Sequence, residues 1–497
     1  MRGGLMVCGT TSDAGKSHVV TGLCRLLHRR GINVAPFKAQ NMALNSFVTP
    51  SGHEIGRAQG VQALAAGVEP EVAMNPVLLK PTGERTSQVV VMGRPWAHLD
   101  AAAYHEAKPR LLETVLAALA DLRARFDVVI LEGAGSPTEI NLLDHDIVNL
   151  RVAAEAGVPA IVVGDIDRGG VFAALYGTVA LLPDRYRALV RGFVINKLRG
   201  DPALLFDGTD ELERRCGVPT LGVLPWIHDV ALDAEDSLAL SGHRPRAERP
   251  AVGDAIDIAA IRLPRISNFT DLDALSIEPG VTVRLVEDAT ALGRPDVVIL
   301  PGTKSTVADL EWLRGRGLDR TIESCGALVL GICGGYQMMG STLTDDVESH
   351  RGRVEGLGWL AVRTTFDPEK TTRQRRGHSM GQRVSGYEIR HGQVEREPRQ
   401  PGWIHLDDVY GAEDDGAVEP DEARFLGTSL HGLFEQDGFR AQFLTEIGRR
   451  AGKTFVPAGV SFAAAREAQF DRLADLLEAH LDLAMLDKLI QEGAPAR

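Results

Sequence analysis

Short apolar runs alternate with stretches of helical periodicity along the chain. Leu5–Cys8 predicts a strand, followed by a helix through Val19–Arg29, and Val34–Phe37 predicts the next strand. Val128–Leu131, Ala160–Val163 and Gly192–Ile195 are further β-rich runs bounded by Asp, Gly or Pro, with helical stretches such as Pro109–Arg125 between them. Strands separated by crossover helices predict a parallel sheet covered on both faces. Residues 235–255 are polar and rich in Pro, Gly and charge, the composition of a linker. A second α/β run follows through Ile256–Ile261, Val281–Val286, Val297–Leu300 and Ala327–Leu330. The charged, Gly-containing stretch 364–382 reads as a loop. Phe470, Leu473, Leu477 and Leu481 mark an amphipathic helix expected to pack back on the body. The pattern therefore predicts two doubly wound α/β domains, 1–235 and 255–450, a linker at 236–254 and a helical extension at 451–497.

Composition narrows the function classes. The chain has 497 residues, with 54 Lys+Arg against 67 Asp+Glu and a net charge of −13. That balance argues against a nucleic-acid binder held by bulk charge. No apolar run approaches the roughly 18 residues of a membrane span, and the N-terminus lacks a signal-peptide layout. Five scattered cysteines without CxxC spacing point to a reducing cytoplasm, not a disulfide framework or a structural zinc site. Small-molecule partners are expected, without nucleic acid or membrane; the oligomeric state is not legible.

The first candidate site follows the first strand. Gly9-Thr10-Thr11-Ser12-Asp13-Ala14-Gly15-Lys16-Ser17 is a Gly-rich turn opening a helix. Backbone N–H groups and the helix dipole suit phosphate there. Lys16 supplies a cation for the β/γ-phosphates and Ser17 a hydroxyl for Mg²⁺. Thr11, Asp13 and Gly15 complete the expected ATP loop, which is one residue longer than the common form. Lys38 and Gln40 close the second strand, where they can face nucleotide or substrate. Glu132 closes a later strand as a second Mg²⁺ ligand, and Glu54 is a weaker metal candidate; Asp165 and Asp167 are weaker candidates again.

The second candidate site follows Ala327–Leu330. Gly331-Ile332-Cys333-Gly334-Gly335-Tyr336-Gln337 places a thiol on a tight strand-to-helix turn, where the helix N-terminus favours thiolate. A cysteine nucleophile needs a base, and His431 in Thr428-Ser429-Leu430-His431-Gly432 follows an apolar strand. Gly302, in Leu300-Pro301-Gly302-Thr303-Lys304-Ser305, ends the strand before the cysteine. Its N–H and that of Gly334 are expected to form an oxyanion hole.

These motifs resemble known families. The longer phosphate loop resembles that of dethiobiotin synthetase-like ATPases, and Asn196-Lys197 resembles their base-contacting pair. The Cys333…His431 order resembles class I glutamine amidotransferases, which implies a flavodoxin-like domain. That class usually has a carboxylate two residues after the histidine. Here Leu433 stands there and Glu435 lies two further on, so the expected unit is a Cys333–His431 dyad, as in the corrinoid-amidating branch. Further matches are FKAQNMALNS (37–46), MNPVLLKP (74–81), EGAGSPTEINL (132–142), DIDRGGVFA (165–173), INKLRGD (195–201), PRISNFTD (264–271), PGTKST (301–306), GICGGYQM (331–338) and SLHGLFE (429–435). With these, the chain resembles the cobyric acid synthase family of cobalamin biosynthesis. The resemblance implies ATP- and Mg²⁺-dependent amidation of the b, d, e and g carboxylates of adenosylcobyrinic acid a,c-diamide, with ammonia released at Cys333. Two positions depart from the family pattern: Cys8 replaces a common Gln, and Arg390 replaces the His of a YEIH motif. The alternatives are a cobyrinic acid a,c-diamide synthase, which shares both halves, and a ParA/MinD-like regulatory ATPase with a degenerate second domain.

Overall fold

A computed structural model of the chain describes residues 1–83, 85–227 and 254–495. The described residues divide into two compact units. The first comprises 1–43, 53–227 and 466–495, and the second 44–52 and 254–465. The expected linker 236–254 lies outside the described residues except for Asp254.

The first unit is built on six parallel strands. Their spatial order is Thr220–Pro225, Val190–Leu198, Ala160–Asp165, Gly3–Gly9, Val128–Glu132, Val34–Phe37. Side chains alternate between two cores, as period-two strands require. Leu5 and Val7 join the face covered by helix Lys16–Arg29, while Met6 and Cys8 join the face covered by helix Ala101–Arg125. That second helix starts earlier than its apolar periodicity indicated, because the Asp100 carboxylate caps it by accepting the Ala103 N–H at 2.8 Å. A four-stranded side sheet carries Gln40–Met42 and Val77–Pro81.

The C-terminal helices Phe462–His480 and Leu483–Glu492 do not form a separate extension. From residue 466 onward the chain belongs to the first unit, and 451–465 belong to the second. Phe470, Ala474, Leu477, Leu486, Leu489 and Ile490 fill the core under helix Lys16–Arg29. Gly22 lets the helices approach closely, since a Cβ there would lie 3.0 Å from the Leu473 carbonyl oxygen. The amphipathic stripe is thus an integral face of the nucleotide-loop core.

The second unit has its own sheet in the order Val281–Val286, Ile256–Ile261, Val297–Leu300, Leu328–Ile332, Phe425–Thr428, Ala417–Val418. All its pairings are parallel except the last. A largely antiparallel sheet stands beside it, dominated by the hairpin Val362–Ser379 and Gln382–Arg396. The reading of 364–382 as a loop is therefore corrected. The stretch is strand because its charges are answered across the ladder. Arg373 sits opposite Glu388 and pairs with it at 2.5 Å, and fully buried Arg375 pairs with Glu388 at 3.2 Å and Asp408 at 2.7 Å. Partners supplied by another strand leave no signal in local hydropathy.

Phe470→Ala should destabilise the first unit by about 3–5 kcal/mol, the usual result of emptying a buried phenylalanine site. A lowered denaturant midpoint with the helix intact checks this; an unchanged midpoint would show the terminal helices to be dispensable.

Candidate active site

Both groups of reactive residues lie at the carboxyl ends of parallel strands, where helix N-termini and loops converge. In the first unit the loop after Gly3–Gly9 wraps Lys16. Its Nζ donates to the carbonyls of Thr11 at 2.9 Å, Ser12 at 3.0 Å and Gly135 at 3.3 Å. Gly15, with φ 99°, takes a left-handed conformation that suits glycine. Asn196 and Lys197 brace this loop from behind. Asn196 Nδ2 donates to the Ala14 carbonyl at 2.9 Å, and Lys197 Nζ to the Asp13 carbonyl at 2.6 Å and to Asp165 at 2.7 Å. The Asp13 carboxylate meets Arg168 at 2.9 Å, and Asp167 pairs with Arg199 at 2.7 Å.

Glu132 is the hub beside the loop. Its carboxylate accepts from the Ser17 hydroxyl at 2.9 Å, Lys38 Nζ at 2.9 Å and Gln62 Nε2 at 2.5 Å. Burial alone would favour the neutral acid, but Lys38, Gln62 and Lys16 outweigh it and hold the carboxyl below its usual range. An ionised carboxylate bonded to the loop serine is a hard-oxygen pair that fits Mg²⁺. Buried Gln62 Oε1, on the same side chain that meets Glu132, has no hydrogen-bond partner. Glu54 does not join this set: it is buried against Lys80 at 2.6 Å. Among the described residues no cluster of three or more His, Cys, Asp or Glu gathers. The Gln40 side chain accepts from the Tyr104 hydroxyl. Cys8 is no rival nucleophile, because burial and nearby Asp146 push its thiol up to about 12.

In the second unit, three adjacent strands deliver the reactive residues. Val297–Leu300 ends before Gly302, Leu328–Ile332 before Cys333 and Phe425–Thr428 before His431. Cys333 has φ 50°, a strained turn for a residue with a side chain, of the kind that displays a nucleophile. A Cβ on Gly302 would lie 2.8 Å from His431 Cε1, and one on Gly334 3.1 Å from the Thr303 nitrogen. Gly302 therefore packs against His431, and Gly334, the residue after Cys333, packs against Thr303.

The expected dyad has a third member. His431 Nδ1 meets Asp271 Oδ2 at 2.7 Å, and Asp271 Oδ1 accepts the Gly432 N–H at 2.6 Å. Asp271 lies 160 residues before the histidine, outside the window of the usual motif, so local spacing does not mark it. It is brought there by PRISNFTD, whose Ser267 N–H donates to the Gly302 carbonyl at 2.8 Å. Burial alone would lower the His431 pKa, but Asp271 and Cys333, within hydrogen-bonding reach, outweigh burial and raise it to about 10. Arg390, the departure from the family motif, is bound to Glu388 at 2.6 Å and to the Gly392 carbonyl at 2.7 Å.

The fold and sites define a class: a phosphate-loop nucleotide-binding unit joined to a unit with a glutaminase-type Cys–His–Asp constellation. Family models agree. Residues 5–239 match the CobQ/CobB/MinD/ParA nucleotide binding domain, and 257–439 the CobB/CobQ-like glutamine amidotransferase domain. The chain is 53% identical to the cobyric acid synthase of Streptomyces coelicolor, over 100% of this chain and 98% of that one. It is 53% identical to the cobyric acid synthase of Rhodococcus jostii, over 99% and 96%, and 52% identical to that of Frankia casuarinae, over 100% and 98%. The chain belongs to the cobyric acid synthase family. Among the described residues no helix is long and apolar enough to cross a membrane.

Proposed function

We propose that this protein makes the b, d, e and g amides of adenosylcobyrinic acid a,c-diamide, using glutamine as nitrogen donor and ATP as activator. The chain is a glutamine-dependent amide ligase of cobalamin biosynthesis. The observation that carries the mechanism is the Cys333–His431–Asp271 array, with Cys333 and His431 at adjacent strand ends and Asp271 opening the helix Asp271–Ser276. The Cys333 thiolate attacks the side-chain amide carbon of glutamine. N–H groups of Gly302 and Gly334 stabilise the developing oxyanion, and protonated His431 gives its Nε2 proton to the departing ammonia. Water, deprotonated by His431, then cleaves the thioester to glutamate. Asp271 holds Nδ1–H, so Nε2 is the nitrogen left for this traffic.

In the first unit the γ-phosphoryl group of ATP passes to a substrate carboxylate, because a carboxylate is a poor electrophile. Ammonia attacks the acyl phosphate, leaving amide, ADP and phosphate. Lys16 and the loop N–H groups hold the phosphates. Ser17 and Glu132 would hold Mg²⁺, which when bound offsets phosphate charge. Lys38 keeps Glu132 ionised, and Asn196 and Lys197 fix the loop. Five free thiols suit a reducing cytoplasm.

Cys333→Ala should abolish glutamine-driven synthesis and keep ammonia-driven synthesis within about twofold, whereas Lys16→Ala should stop both. Loss of the ammonia reaction in folded Cys333→Ala would sink the two-site scheme. Assaying both acids decides the substrate: turnover of cobyrinic acid alone would point to the a,c-diamide synthase.

Asp271→Asn should lower glutaminase kcat by roughly 10²–10⁴-fold. The pH profile gives the sign. The imidazolium persists below about 10 and is lost as pH rises through that value. Removing the carboxylate removes the raising influence, so the alkaline limb of kcat/KM should move to lower pH. An unmoved limb would mean that Asp271 does not set the histidine's charge.

A further inference from the structure

Asp271 fixes how the His431 ring turns, and a different carboxylate lies under the chain that carries this base. Residues 411–415 read Gly-Ala-Glu-Asp-Asp, which in sequence looks like a solvated acidic stretch. They form the strand Gly411–Asp415, whose first four residues are exposed, while Asp415 turns inward and is buried. The antiparallel ladder sets Asp415 opposite Ile404, and Gly416 after it takes φ 72°. A Cβ on Gly416 would lie 2.1 Å from the Gly427 carbonyl oxygen. Glycine thus lets the chain turn, left-handed, hard against the strand Phe425–Thr428.

That approach delivers the Asp415 carboxylate to the end of the strand. Oδ2 accepts the Thr428 hydroxyl at 2.6 Å and the Ser429 N–H at 3.1 Å. The Thr428 hydroxyl oxygen accepts the Leu430 N–H at 3.0 Å, so its own hydrogen is directed at Asp415. Thr428, Ser429 and Leu430 are thereby tied to one carboxylate, and His431 comes next in the chain. The same turn reaches the nucleophile, because the Thr428 carbonyl accepts the Cys333 N–H at 2.8 Å. The φ of 50° at Cys333 is a conformation that persists only where the surroundings over-determine it. Thr428 is therefore the residue through which the nucleophile's turn and the base's turn are held together.

Burial raises the Asp415 pKa above the usual carboxylate range and Glu388 adds to it, against the Thr428 hydroxyl, Arg390 and the Ser429 N–H. Either protonation state leaves an oxygen able to accept these bonds. What Asp415 supplies to the turn is thus hydrogen-bond acceptance in a fixed place, and a neutral amide can supply the same. Proton transfer between sulfur and imidazole needs the two within hydrogen-bonding reach. A shift of about 1 Å in such a pair can cost roughly 10²-fold in rate.

We infer that Asp415 is a positioning residue of the glutaminase, which sets the spacing of Cys333 and His431 through Thr428. This rests on the proposed ligase reading and adds a second carboxylate to the centre. The two acids do separate work: Asp271 bonds to the imidazole, whereas Asp415 acts through the Thr428–Leu430 turn.

The test measures glutamate release and ammonia-driven synthesis by the full chain. Asp415→Ala should lower glutaminase kcat by roughly 10²-fold, with KM for glutamine and ammonia-driven synthesis each within about twofold. Asp415→Asn keeps an accepting oxygen and should recover at least about tenfold of that loss. Thr428→Val removes the hydroxyl while keeping the branched shape, and should lower kcat in the same way. Asp415→Ala combined with Thr428→Val should be no slower than the slower single variant, because the two act as one unit. A folded Asp415→Ala protein with wild-type kcat overturns the inference. So does a loss confined to KM, an equal fall in ammonia-driven synthesis, no recovery in Asp415→Asn, or a combined variant slowed by the product of the two single losses. If Asp415→Ala does not fold, Thr428→Val decides alone: a fall in kcat with ammonia-driven synthesis kept supports the inference, and an unchanged kcat overturns it. Glutamine hydrolysis surviving in Cys333→Ala would instead overturn the ligase reading, so the two failures are separable.

Discussion

Parallel strand pairing is the constraint on which both reactive centres depend. In a parallel sheet every strand ends on the same edge, so residues remote in sequence become neighbours there. Leu300 sits beside Gly331, and Ile332 beside Thr428. That register sets Gly302, Cys333 and His431 at three consecutive strand ends. The same geometry in the first unit, with Gly3–Gly9 between Val128–Glu132 and Ala160–Asp165, sets Ser17 against Glu132. Slipping either register by one residue would turn every following side chain to the other face.

The two centres then differ in how charge is managed. Around Glu132 the cations Lys38 and Lys16 keep a buried carboxylate ionised. Around His431 the carboxylate of Asp271, with Cys333 within hydrogen-bonding reach, keeps a buried imidazole charged. Each buried charge is matched by a partner of opposite sign, without which burial would neutralise it. One arrangement suits a cation-assisted phosphoryl transfer, and the other suits a thiolate nucleophile whose imidazolium partner hands a proton to ammonia.

Much of this was legible in the chain. The apolar runs located nearly all the parallel strands, because fully buried strands read as continuous hydrophobic segments. Lys16, Ser17, Cys333 and His431 were legible because each stands in a Gly-rich turn directly after such a strand. Three things were not. Arg373 and Arg375 looked like loop residues because their partners Glu388, Asp408 and Glu413 belong to other strands. Asp271 was hidden because its link to the histidine spans two strand ends and not a local spacing. The path of residues 44–52 and 466–495 was hidden because a chain that leaves a unit and returns to it keeps an ordinary local pattern.

That path bears on why the two chemistries share one polypeptide. Ammonia released without an activated acceptor is wasted, and an acyl phosphate without ammonia is open to hydrolysis. A segment that starts at Lys38 and Gln40 and ends against Asn268 and Tyr387 is a covalent link of a few residues between the consuming and the producing chemistry. The C-terminal helices supply a second covalent link, since Phe470 and Leu477 lie in the core beneath the phosphate-loop helix while the residues just before 466 belong to the glutaminase unit. A short tether passes on a displacement better than a long flexible one, whose slack would absorb it. Neither crossing has slack: the early one passes from Gln40 to Ser46 in six residues, and the late one runs inside a single helix, Phe462–His480.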